Sequence, residues 1–200
     1  MLSIKTLFEN SQPRLNLVNV TKYKFKINLE EVKFFDKTAS GIFLDNKTTQ
    51  SLVLAREMLP PKYNFLVNSG HRGYDIQVKI NRYMKTKLQK SNPNNWEDML
   101  NTFTGGEQYL EYLRNNKTFS HMSHASGKAV DIGGIFNEKN KLIDMGGQTT
   151  TVTDQLNYYE NKTSPKDIVI RDNRRMLKTV MTKNNFEGYK DEWWHWGYYK

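Results

Sequence analysis

The sequence predicts one domain built of both helices and short strands, and three observations carry that reading. The chain has 200 residues, a length that suits one hydrophobic core without covalent staples. Apolar residues recur at helical spacing in several stretches, and between them lie short runs rich in strand formers that end in turn residues. No internal repeat or low-complexity segment breaks this alternation. Residues 1–200 are therefore read as a single domain, with 1–46 an N-terminal segment of irregular structure and short strands and 47–200 the core of the domain.

Leu15 to Ile27 alternates loosely between apolar and polar positions and holds Val and Tyr, as short strands do. From Thr48 to Leu59, the residues Leu52, Val53, Leu54, Ala55 and Met58 recur at helical spacing, and Pro60-Pro61 ends the run. Tyr63 to Val67 reads as a strand, with a turn expected at Asn68-Ser69-Gly70. His71-Arg72-Gly73-Tyr74 then lies just past a strand end, where rigid scaffolds display functional groups. Tyr74 to Lys90 is expected to be a helix that buries Ile76, Ile80, Tyr83, Met84 and Leu88. After a polar break at Ser91 to Asn95, the stretch Trp96 to Asn115 divides at Gly105-Gly106 into two helical pieces, an insertion able to wall a cleft. Lys128 to Gly133 is the next strand, Asn137 to Asn140 a turn, and Lys141 to Met145 the returning arm of a hairpin. Gly146 to Ser164 reads as a long polar loop. Asn173 to Lys183 is a helix burying Met176, Leu177, Val180 and Met181, and a last strand holds Trp194 to Tyr199.

Thirty Lys and Arg against 21 Asp and Glu give a formal charge of +9. That favours an anionic partner such as nucleic acid, a membrane surface or an acidic polymer, yet a lysine-rich solvated surface produces the same number. No basic block or basic and aromatic stripe stands out, so no nucleic-acid partner is expected. The absence of cysteine excludes disulfides, thiolate nucleophiles and Cys-ligated zinc together, and leaves His and carboxylate to hold any metal. Met1 to Asn10 lacks the apolar run of a secretory signal, and no segment reaches the length of a membrane span. A cytoplasmic protein is expected, with an exported form whose signal has been trimmed left open.

The chemistry gathers in the stretch from His121 to Gly134, which holds two of the four histidines and sets His124 seven residues before Asp131. Side chains alternate along a strand, so Val130 and Ile132 face the core while Asp131 stands on the other face. Its neighbours there, Ala129 and Gly133, leave room above the carboxylate for a metal and a substrate. Gly127 lets the chain turn, folding the His124 imidazole back toward Asp131. The third member of the set is His195, in Glu192-Trp193-Trp194-His195. Two imidazoles and a carboxylate suit one zinc ion (Zn2+) per chain, and three protein ligands leave a fourth position for water. Zinc acidifies that water and polarises a carbonyl. Glu192, three residues before His195, is the candidate base that passes the water's proton to a leaving amine. Positions three apart fall on opposite faces of a strand, so Glu192 must sit in a bend, with the strand proper beginning near Trp194. Arg72 is the candidate to stabilise the oxyanion as a fixed cation.

Each assignment has a plainer counterpart when taken alone. The His124 motif reads also as a turn entering a strand, the Glu192 segment as an aromatic core strand, and Arg72 as a surface arginine; their joint occurrence favours a site. His121 competes with His124, but the glycine and alanine spacing runs from His124. His71 is assigned a supporting or structural role, and Trp193, Trp194 and Trp196 either line the cleft or belong to the core.

Together these residues resemble the zinc D-alanyl-D-alanine dipeptidases of the vancomycin-resistance type, within the wider D-Ala-D-Ala metallopeptidase group. The resemblance covers roughly Asn64 to Tyr199. It rests on Arg72 with Gln77 five residues on, on His124-x-x-Gly127-x-Ala129-x-Asp131, on Asp144-Met145-Gly146, and on Arg174-Arg175 through Phe186 to Glu192-Trp193-Trp194-His195-Trp196. It implies an α+β fold with a central antiparallel sheet flanked by helices, of the hedgehog and D-Ala-D-Ala metallopeptidase kind. It also implies zinc on His124, Asp131 and His195, Glu192 as base, Arg72 on the tetrahedral intermediate, and hydrolysis of free D-Ala-D-Ala in a cleft closed to longer peptides. Met122 stands where the family usually has serine, with Ser123 adjacent, and Ser91 to Asn115 departs from the family; both changes bear on substrate choice. The leading expectation is a zinc dipeptidase acting on D-Ala-D-Ala or a similar small peptide. The alternatives are a peptidoglycan D,D-carboxypeptidase or endopeptidase with the same zinc site, and a non-catalytic basic module that binds cell wall or nucleic acid.

Overall fold

The computed structural model describes residues 15–116, 118–148 and 151–200, apart from the side chains of Glu31 and Phe103. In chain order its elements are β1 (Leu17–Asn19), β2 (Lys26–Ile27), α1 (Glu30–Phe35), β3 (Phe43–Asp45), α2 (Asn46–Glu57), β4 (Asn64–Ser69), α3 (Tyr74–Ser91), α4 (Trp96–Thr104), α5 (Gly106–Asn115), β5 (Ala129–Phe136), α6 (Pro165–Lys183), β6 (Phe186–Gly188) and β7 (His195–Tyr198). Five strands make the main sheet in the order β2-β4-β5-β7-β6, and β1 pairs with β3 in a small second sheet. The architecture is α+β, as the resemblance implies, with one difference. The pairs β4-β5, β5-β7 and β6-β7 are antiparallel, but the edge strand β2 runs parallel to β4. A parallel neighbour needs a long crossover, and the segment carrying α1, β3 and α2 supplies it. The signal-like run sought at Met1 to Asn10 lies outside the described residues, and no described helix is long and apolar enough to cross a membrane.

One face of the sheet is apolar. Phe65 and Val67 of β4, Val130 and Ile132 of β5 and Trp196 of β7 form one core cluster with Leu52 and Ala55 of α2 and Leu177, Val180 and Met181 of α6. Helix α2 starts because the Asp45 carboxylate accepts from Lys47 N and Thr48 N, and Pro60-Pro61 follows its end. Helix α6 starts at Ser164, whose hydroxyl accepts from Asp167 N at 3.2 Å, with Pro165 in the first turn. Helices α3, α4 and α5 pack on one another and wall the cleft. The join between α4 and α5 is Gly105 at φ +70°, where a side chain would meet Tyr109.

Several expectations change in the structure. The turn expected at Asn68-Ser69 is strand, because Ser69 still pairs with Asp131. The register slips on both sides of Val67, leaving Asn68 in β4 and Gly133 in β5 as extra residues. Helix α3 buries Gln77, Asn81 and Leu88, whereas Tyr83 is exposed. Asn81 Nδ2 donates there to Gly106 O at 2.7 Å. Leu54 of α2 and Met58 just after it are exposed as well. The returning arm after Asn140 shrinks to a Phe136–Leu142 bridge with bonds from Asn137 N to Lys141 O and from Ile143 N to Ile135 O, and Met145 O turns away to accept from Arg174 Nε at 2.8 Å. Helix α6 begins at Pro165, well before Asn173, because charged residues interrupt the apolar period in its first turns. The six residues of α1 are too few for a periodic signal.

Candidate metal centre and cleft

The sheet register builds the centre. Ser69, Asp131 and His195 lie side by side on three neighbouring strands, since Ser69 pairs with Asp131 and Asp131 with His195. His124 comes from outside the sheet, at the start of a single 3-10 turn (His124–Ser126). Ser123 caps that turn by accepting from Ala125 N at 3.2 Å, and Gly127 ends it at φ +73°, a conformation that favours glycine. His124, Asp131 and His195 are all buried, and one ligand atom from each lies within 4.8 Å of the others.

The tautomers follow from the neighbours. His124 Nδ1 lies 2.6 Å from Gly70 O, and His195 Nε2 lies 2.8 Å from Met122 O. A carbonyl oxygen only accepts, so both of these nitrogens carry the proton. The other nitrogens, His124 Nε2 and His195 Nδ1, face Asp131 Oδ2 at 3.2 Å and Oδ1 at 2.9 Å. Neutral imidazoles in these tautomers would turn lone pairs toward a carboxylate, an arrangement that calls for a cation between them. His124 Nε2 is accordingly a buried nitrogen with no hydrogen-bond partner. Ligands of a tetrahedral zinc at about 2.0 Å stand about 3.3 Å apart, close to the two imidazole–carboxylate spacings. Backbone carbonyls that hold the second nitrogen of each imidazole are the usual support of a metal-ligating His.

The neighbours also set the charges in the centre. Burial and the nearby Arg72 cation push His124 down to about 4, which keeps it neutral and able to ligate at pH 7. Burial works against the Asp131 carboxylate, yet His124 and Arg72 hold it well below the usual range. Burial likewise works against protonated His195, but its bond to Asp131 outweighs that and raises it. Arg72 Nη2 donates to Asp131 Oδ2 at 2.5 Å and Nε to Ser69 Oγ at 2.9 Å. Glu192 lies in the bend before β7, with its backbone N–H bonded to Tyr189 O and its carbonyl to His195 N. β7 itself begins at His195, one residue later than expected. Burial pushes the Glu192 carboxyl up to about 7, the range suited to a group that takes and returns protons near neutrality.

A cleft of about 360 Å³ opens over these groups, and Arg72, His124, Asp131, Glu192 and His195 all line it. The structure thus brings together all five residues singled out as catalytic or metal-binding from the sequence. His121 stands apart, with Nε2 2.9 Å from Glu187 Oε2 at the surface. His71 also lies outside the cluster and faces a second cavity of about 300 Å³ that shares Arg72 and Ile80 with the first. Trp193 and Trp196 belong to the core, while Trp194 lines the cleft. Sequence reasoning missed Asn68, Tyr109 and Tyr189, which also line it. Asn68 was concealed by its turn-like context, and Tyr109 lies in the insertion, where no motif marks it.

The sequence model of a peptidase family described as D-ala-D-ala dipeptidase matches residues 34–199. A D-alanyl-D-alanine dipeptidase of Enterococcus faecium is 25% identical over 148 residues, which cover 74% of this chain and 68% of that protein. Among solved structures, the LdcB LD-carboxypeptidase, described with its recognition of peptidoglycan, aligns over 93% of this chain and 69% of its own. Its TM-score is 0.36 and its identity 16%.

Proposed function

Because the chain belongs to the D-Ala-D-Ala dipeptidase family of metallopeptidases, we propose that it hydrolyses the peptide bond of D-Ala-D-Ala or a similar small peptide, with zinc held by His124, Asp131 and His195. One observation carries the metal: two imidazoles, each tied through one nitrogen to a backbone carbonyl, turn the other toward the same buried carboxylate. Zinc bound there supplies Lewis-acid polarisation of the scissile carbonyl and an acidified water. Family membership and the intact base set aside a non-catalytic binding module.

The remaining chemistry falls to side chains of this chain. Glu192, at about 7, is poised to accept the proton of the attacking water and to return it to the amine nitrogen as the C–N bond breaks. Arg72, anchored on Ser69 and Asp131, is a preorganised cation at the cleft wall for the oxygen that gains charge. The imidazoles stay in fixed tautomers through Gly70 O and Met122 O, so neither takes part in proton transfer.

A second reading is favoured by one feature of the cleft. Among the described lining residues the carboxylates are Asp131 and Glu192, both engaged in the chemistry. The ammonium of a free dipeptide therefore finds no further anionic partner, which suits a D-Ala-D-Ala unit at the end of a longer peptide. Both readings are tested by supplying zinc and measuring release of D-alanine from D-Ala-D-Ala, its N-acetylated form, a pentapeptide stem and L,D dipeptides. Cleavage of the free dipeptide alone supports the dipeptidase, and cleavage of the acylated forms the carboxypeptidase. No cleavage of any of them by zinc-loaded protein would sink the proposal.

A further inference from the structure

We propose that Tyr109 of α5 is a substrate-contacting residue whose phenol donates a hydrogen bond to the C-terminal carboxylate of the peptide; this rests on the peptidase reading above.

Proton counting sets the direction of the bond between Tyr109 and Ser123. Ser123 Oγ already accepts from Ala125 N at 3.2 Å, and its other neighbour is Tyr109 Oη at 2.5 Å. One proton lies between the two hydroxyls. If tyrosine supplied it, the hydroxyl proton of the buried Ser123 would have no acceptor, and an unmade bond of that kind is costly. Ser123 therefore donates to Tyr109. The phenol proton is then left to point away from Ser123, and Tyr109 lines the cleft together with Arg72, His124 and Glu192.

The chain invests in placing this ring. Gly105, at φ +70°, lets Tyr109 pack against the start of α5, where a side chain at 105 would strike it. Asn81 on α3 clamps the same corner by donating to Gly106 O at 2.7 Å. Ser123, the residue before His124, holds the phenol, so ring and metal centre keep a fixed relation. Burial pushes the phenol above its ordinary range, and a neutral phenol is a donor at every working pH.

The class of acceptor follows from charge. The part of the cleft wall given by α4 and the start of α5 consists of Asn101, Thr102, Thr104, Gly105 and Tyr109, all uncharged, and Arg72 is the charged group whose field reaches Tyr109. A neutral donor beside a cation recognises an anionic oxygen. Since hydrolysis develops its charge where the metal ligands converge, the anion left for Tyr109 is the terminal carboxylate.

The test uses zinc-loaded protein, D-Ala-D-Ala and its C-terminal carboxamide, each also supplied N-acetylated, with kcat and KM measured for wild type and Tyr109→Phe, and zinc content measured alongside. For the free acid, Tyr109→Phe is expected to raise KM about tenfold with kcat held within about twofold, as for loss of a hydrogen bond to a charged group. For the carboxamide KM should hardly move, so the preference for acid over amide collapses. Equal effects on acid and amide, or none, overturn the assignment of Tyr109 while leaving the peptidase reading intact. A loss of zinc in the variant would make Tyr109 a support of the His124 turn and overturn it too. If wild-type protein cleaves none of the peptides, the peptidase reading and this inference fall together.

Discussion

Replacing Glu192 by glutamine should make the metal-free protein more stable at alkaline pH while abolishing its catalysis. In the folded chain the carboxyl ionises near 7 instead of 4.5, chiefly through burial. Between these values the native state holds a proton that the unfolded state has released, so stability falls as pH rises through that window. At about 1.4 kcal/mol for each tenfold change in acidity, the full cost above pH 7 is about 3 kcal/mol. Glutamine keeps the shape and carries no charge. Urea unfolding of chelator-treated wild type and Glu192→Gln, at intervals from pH 5 to 8.5, should therefore give curves that nearly meet at the acid end. They should separate by about 3 kcal/mol at the alkaline end, the variant being the more stable. A separation that stays constant with pH would refute the claim that burial holds this carboxyl protonated. With zinc restored, the same variant should lose about 10²- to 10⁴-fold in kcat, the usual worth of a general base.

Wild type should bind one zinc ion per chain by equilibrium dialysis with metal analysis, and Asp131→Asn should bind almost none, because the carboxylate that both imidazoles face would be gone. Free zinc at a hundred times its Kd should stabilise the fold by about 2.7 kcal/mol, read as a rise in melting temperature that a chelator reverses; an unchanged melt would argue against a site in the native state. Gly133→Ala places a methyl group against the Asn68 carboxamide where both strands carry their extra residue, and should cost about 1–3 kcal/mol in thermal unfolding together with a fall in kcat/KM. Leu177→Ala, at a fully buried position of α6, should cost about 2–5 kcal/mol with zinc stoichiometry intact, which separates core damage from damage to the centre.

The centre was legible in the sequence because its parts obey local rules. The alternation around Asp131 placed the carboxylate opposite Val130 and Ile132, and the three-residue interval forced Glu192 into a bend before His195. Helix α3 was found by its period, but its buried face was misjudged, because Gln77 and Asn81 are buried too, Asn81 through a hydrogen bond that only the packed insertion reveals. The start of α6 was missed although Ser164 and Pro165 signal it, since Lys166, Asp167, Arg171 and Asp172 blur the apolar stripe. The parallel edge of β2 was beyond reach for another reason. Strand order depends on where the crossover lands, and two residues of pairing leave no pattern in the chain.

Gly70 O and Met122 O fix the imidazoles from the main chain, and this divides what mutation can change from what it cannot. A side-chain acceptor is one substitution away from loss, whereas a carbonyl survives replacement of the residue that carries it so long as the backbone keeps its path. Met122 occupies both categories at once: its carbonyl orients His195, and the residue lines the cleft. Position 122 is therefore free to vary with the peptide being recognised while the nitrogens facing Asp131 keep their tautomers, and selection for a new substrate can proceed there without first dismantling the metal centre.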